Sequence, residues 1–146
     1  MACCRTFNPH LNKEIGPKRI LSLDGGGLRG MMSLQVLYRL ESLFKDRFND
    51  QELCLADYFD LIAGTCTGAI IAAGLSLSMS VREIEEHYQR LGDKVFMRSF
   101  WRRRLLQDSY ETSAVAKALR GIYGTGPLKR EDFRTGLLVA VWRLIR

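Results

Sequence analysis

Two short stretches of this chain carry residue types and spacings that could do chemistry. The first is Gly64-Thr65-Cys66-Thr67-Gly68, which sets a thiol midway between two glycines. Where a strand turns sharply into a helix, small residues are needed because backbones crowd. The central side chain is then exposed at the helix N-terminus, beside N–H groups with no intrahelical partner. That is the geometry of a nucleophile elbow, which usually carries Ser in the pattern G-x-S-x-G; here the central residue is Cys66. The second stretch is Asp24-Gly25-Gly26-Gly27-Leu28-Arg29-Gly30. Successive glycines permit positive φ and let a ligand come close to the amides, so neighbouring N–H groups can converge on an anion.

Each stretch has a plainer reading. An isolated G-x-C-x-G also occurs as a structural turn, and Gly64 and Gly68 also form a GxxxG pair of the kind found between membrane helices. The apolar run Leu61 to Leu77 is at the short limit of the about 17 to 25 residues a span needs, and threonines sit near its centre. Gly25, Gly27 and Gly30 satisfy G-x-G-x-x-G, the dinucleotide-binding pattern. Against it, Asp24 would put a carboxylate beside the pyrophosphate, and the acid about 20 residues later, Asp46, falls near the end of a helix instead of a strand. His10 and His87 are the histidines available for a Cys-His pair. His10 lies in the N-terminal tail and His87 among polar helix neighbours, so both are read as surface residues.

The elements that must position these stretches follow from periodicity. Arg19 to Leu23 is a strand that runs into the glycine loop, and Met31 to Phe44 is an amphipathic helix with Leu34, Leu37, Leu40, Leu43 and Phe44 inward. Leu61 to Ala63 is a short buried strand, and Ala69 to Ala73 is apolar all round, as a helix buried on every side should be. Ser80 and Glu83 form a capping box that opens a helix from Val81 to Leu91, with Ile84, Tyr88 and Leu91 on its apolar face and Gly92 at its end. Ser113 caps a further helix through Tyr123, with Val115, Ala116, Leu119 and Ile122 inward, and Leu137 to Val141 is a third strand. The fold class is α/β, a mostly parallel central sheet with helices on both faces. Glycine loop and elbow then meet at the carboxyl ends of their strands, where open α/β sheets bind ligands.

The two glycine elements together are far more specific than either alone. DGGGLRG, then about 40 residues, then GTCTG on an apolar strand-turn-helix resembles the patatin-like phospholipase family, whose signature pairs D-G-G-G-x-R-G with G-T-S-T-G. The resemblance runs from Arg19 to near the end of the chain and includes FRTGLLVAV, which looks like the family's next core strand. It implies a tail at residues 1–18 and the N-terminal portion of a patatin-like domain at 19–146, truncated after the third core strand.

The resemblance also implies roles. Cys66 stands at the nucleophile position, and the amides of Gly25, Gly26, Gly27 and Leu28 stand where the family stabilises the oxyanion of the tetrahedral intermediate. Arg29 helps hold the loop or an anionic substrate group, Asp24 shapes the loop, and Gly30, Gly64 and Gly68 complete the motifs. The implied reaction is acyl-ester hydrolysis of a phospholipid or neutral lipid, through an acyl-enzyme and with no cofactor or metal. Two departures bear on it. A dyad tuned for Ser and Asp does not suit a thiol, which becomes thiolate beside a positive partner or a helix N-terminus and is opposed by a carboxylate. The family's downstream D-G-G or D-G-A triplet has no counterpart, since Asp followed by Gly occurs at Asp24 alone. The alternative is a catalytically inactive lipid-binding or regulatory pseudoenzyme, or a fragment.

Composition fits one domain able to bury a core: 146 residues, 47% hydrophobic and 26% charged. A net charge of +6 favours anionic partners without choosing among them, and no nucleic acid is expected. The stretch MRSFWRRRLL places Arg98, Arg102, Arg103 and Arg104 around Phe100 and Trp101, a composition suited to peripheral contact with an anionic membrane, although a solvated helix face with two buried aromatics is the commoner meaning of such a stretch. The first residues have no apolar signal region and the four cysteines no metal-like spacing, so reduced thiols in the cytoplasm are expected.

Overall fold

In the computed structural model, residues 17–91 and 112–141 are described. His10 and the arginine-rich stretch with Arg98, Trp101, Arg102, Arg103 and Arg104 lie outside them. Three parallel strands, β1 (Ile20–Leu23), β2 (Leu61–Thr65) and β3 (Gly136–Ala140), form a sheet in the order β1-β2-β3. Between β1 and β2 run a 3-10 turn (Gly27–Arg29), α1 (Gly30–Phe48) and the short α2 (Leu55–Tyr58); between β2 and β3 come α3 (Thr67–Ser76), α4 (Val81–Leu91) and α5 (Thr112–Tyr123). The result is an α/β arrangement, a parallel sheet with helices around it.

The register pairs Leu21 with Ile62 and Leu23 with Gly64, and Ile62 in turn with Leu137. Because side chains alternate along a strand, Leu23 and Ile62 point to the face on which α1, α3 and α4 build the core. There Leu34, Leu37, Ile71, Ala72, Leu75, Val81, Ile84 and Tyr88 are buried together with them. Ile20 and Leu138, of opposite parity, are 62% and 49% exposed, so among the described residues this second face is thinly covered.

Helix α1 extends a turn past its expected end and closes at Asn49, whose φ of 49° is a left-handed cap. Leu43, expected inward, is 47% exposed. At 100° per residue it falls opposite Leu34, whereas Glu41 falls beside Leu34. Glu41 is buried accordingly, and its carboxylate is satisfied there: it accepts from the Val81 N–H (3.1 Å) at the start of α4 and pairs with Lys45 (3.1 Å). A buried anion at a helix N-terminus ties α1 to α4. The Ser80–Glu83 capping box is formed as the spacing predicts, Ser80 N donating to Glu83 Oε2 (2.9 Å) and Glu83 N to Ser80 Oγ (3.3 Å).

Candidate active site

The strand-turn-helix predicted around Cys66 forms as β2, Cys66 and α3, with Gly64 in the strand and Gly68 in the helix, which removes the continuous membrane helix. Among the described residues no helix is long and apolar enough to cross a membrane. Cys66 itself has φ 50° and ψ −123°, a backbone conformation that side-chain-bearing residues rarely adopt and that a sharp elbow imposes. The side chain is exposed. Close approach is what the flanking glycine supplies: a methyl at Gly68 would overlap the Leu23 carbonyl oxygen and come within 2.8 Å of that of Asp24. Helix α3 can therefore start directly over the end of β1.

The same packing brings the glycine loop onto the elbow. A methyl at Gly25 would lie 2.5 Å from Cys66 Cβ and 3.3 Å from its Sγ. The two threonines beside Cys66 hold the loop there. Thr65 Oγ1 accepts from the Gly25 N–H (3.1 Å), and Thr67 Oγ1 accepts from both the Gly26 and the Gly27 N–H (3.1 Å each). From behind, the Tyr88 hydroxyl of α4 donates to the Gly27 carbonyl (2.5 Å). Burial pushes the Tyr88 phenol above its ordinary pKa, against the pull of its hydrogen bond with Thr67. Asp24 and Arg29 are exposed beside the loop, and the Arg29 N–H closes the turn on the Gly26 carbonyl (3.1 Å). Asp46 lies inside α1, so the acid a dinucleotide site needs at a strand end is in a helix.

An open cleft of about 530 Å³ adjoins the thiol, lined by Thr65, Cys66, Ala69, Val139, Ala140 and Val141. Its walls are mostly apolar, as suits an acyl chain. His87, on α4, is half-buried. Sequence reasoning found Cys66 and the glycine loop and passed over the residues that join them. Thr65 and Thr67 were visible only as motif letters, and Tyr88 only as one apolar position of a helix, because a phenol's hydroxyl partner is not legible from periodicity.

Comparisons with known proteins point to one family. The family model described as patatin-like phospholipase matches residues 21–143. The chain is 37% identical over 87 residues to a cGAMP-activated phospholipase of Vibrio cholerae, covering 60% of this chain and 24% of that one. It is 36% identical over 107 residues to an intracellular phospholipase A2 of Caenorhabditis elegans, covering 73% and 9%. To the human calcium-independent phospholipase A2-gamma it is 44% identical over 79 residues, covering 53% and 9%. The matched stretch is thus a quarter or less of the length of each of these relatives.

Proposed function

Since the chain belongs to the patatin-like phospholipase family, we propose that it carries the nucleophile and oxyanion half of a lipid acyl hydrolase, acting on phospholipid or a related lipid ester. The observation that carries this reading is the glycine loop seated on a strained, exposed Cys66 at the mouth of an apolar cleft. In the proposed reaction the Cys66 thiolate attacks the ester carbonyl carbon, and the carbonyl π pair becomes an oxyanion. The amides of Gly25, Gly26, Gly27 and Leu28 are the donors assigned to it. Collapse expels the alcohol, which takes up a proton, and leaves an S-acyl thioester. Water then releases the fatty acid and restores the thiol.

Asp24, Arg29 and Gly30 support the loop, and Gly64 and Gly68 the elbow. The lipid surface is met from the cytoplasm, with Arg98, Trp101, Arg102, Arg103 and Arg104 as a peripheral contact that their composition suits. A second reading, a lipid-binding relative without turnover, is favoured by one feature: the Gly25, Gly26 and Gly27 amides already bond to threonine hydroxyls. Intact-protein mass spectrometry after incubation with an activated fatty-acyl ester separates the two. The hydrolase reading predicts one added acyl group, mapped to Cys66 and absent in Cys66→Ala. A folded chain that stays unacylated contradicts it.

A further inference from the structure

Tyr88 is only 1% exposed, yet it carries a hydroxyl, and that hydroxyl donates to the glycine loop. A buried phenol needs partners: the Tyr88 hydroxyl donates to the Gly27 carbonyl at 2.5 Å and is also hydrogen-bonded with Thr67, which itself holds the loop. Nothing larger than hydrogen fits at Gly30 in this arrangement, because a methyl there would overlap the Tyr88 hydroxyl. The loop and α4 are therefore fitted to each other at one peptide, Gly27–Leu28. No peptide bond described is cis, and in a trans peptide the carbonyl and the next N–H point to opposite sides. Holding the Gly27 carbonyl toward α4 turns the Leu28 N–H away from α4. Gly27 has φ 55°, and a glycine at such a turn lets the adjoining peptide flip at little cost unless something fixes it. The amides before it are fixed by Thr65 and Thr67; the orientation of this one is set by Tyr88.

We propose that Tyr88 is a positioning residue for the oxyanion site: its hydroxyl locks the Gly27–Leu28 peptide so that the Leu28 N–H is presented as a donor. The assignment rests on the acyl-hydrolase reading of the same loop, and the test separates the two. An alkyl trifluoromethyl ketone is the probe. Cys66 Sγ bonds to its carbonyl carbon, the π pair becomes an oxyanion, and the thiol proton goes to solvent, with no oxidant or leaving group required. Fluorine NMR reads both the affinity of the adduct and the pH at which its oxygen ionises.

Tyr88→Phe removes one oxygen. The expected result is an about ten- to hundredfold loss of affinity, the scale of a misplaced catalytic group, together with adduct ionisation moved to higher pH. A residue that only stabilises the fold would lower the melting temperature and leave the ionisation where it was. Gly30→Ala is the second variant, at the first turn of a helix that tolerates alanine; it crowds the hydroxyl off the carbonyl and predicts the same shift. Equal affinity and equal ionisation in the unsubstituted chain and in either folded variant would overturn the assignment of Tyr88 alone. A folded unsubstituted chain that forms no adduct would overturn the acyl-hydrolase reading, and this inference with it.

Discussion

The two described cysteines show how environment divides one residue type into two behaviours. Cys66 is exposed on a strained elbow, whereas Cys54 sits at the start of α2, where its Sγ lies 3.5 Å from the Ser78 carbonyl. Burial, reinforced by the Glu41 and Asp57 carboxylates, pushes the Cys54 thiol up to about 11. Near neutral pH iodoacetamide should therefore modify Cys66 well before Cys54, as peptide mass mapping would show; equal rates would contradict this. The same shift has a stability consequence. The folded chain holds the Cys54 proton more tightly than the unfolded one, whose thiol titrates near 9.0, so this contribution is complete below about pH 9 and is lost as pH rises through about 11. The melting temperature should fall over that window, and Cys54→Ala should flatten part of the fall. At this scale the sequence displayed Cys66 at the turn and the glycines around it. It could not display the threonine and tyrosine hydroxyls that organise them, since those partners are about 40 and 61 residues apart along the chain.

Among the elements, the packing of α3 over the ends of β1 and β2 positions the site, and it depends on glycine where backbones touch. Gly68→Ala would drive a methyl into the Leu23 carbonyl and should cost about 1 to 3 kcal/mol in urea unfolding, with loss of any acyl transfer. Gly121 is the contrast. It lies within α5, and an added methyl would meet nothing within 4 Å, so Gly121→Ala should be neutral or stabilise by about 0.5 to 1 kcal/mol. If the two substitutions cost the same, the tight strand-helix crossing is wrong. The elements were largely legible: α4 has the bounds its capping box and periodicity predict, and the strands lie within a residue or two of expectation. Leu43 and Glu41 were not, because a list of apolar residues ignores helical phase, and a buried carboxylate is explained by the α4 N-terminus and the Lys45 ammonium it meets.

For the whole molecule, the described residues place the core on one side of a three-stranded sheet and leave β3 apolar and exposed: Leu138 is 49% exposed, Val139 48%, and Val141 just beyond the strand 81%. Such an edge favours association. Sedimentation should show concentration-dependent oligomers that Leu138→Lys with Val139→Lys suppresses; a monomer at every concentration would contradict that expectation. On the acyl-hydrolase reading, the assembled elbow and loop form a working acyl-transfer site. The most direct test of that reading is hydrolysis of a fluorogenic acyl ester and of phospholipid vesicles by this chain, Cys66→Ser and Cys66→Ala, each shown by thermal melting to be folded. The account predicts that Cys66→Ser releases fatty acid faster than Cys66→Ala, since an oxygen nucleophile suits an oxyanion site built at this elbow. Equal silence from all three folded proteins would contradict it and leave a lipid-binding relative of the hydrolases.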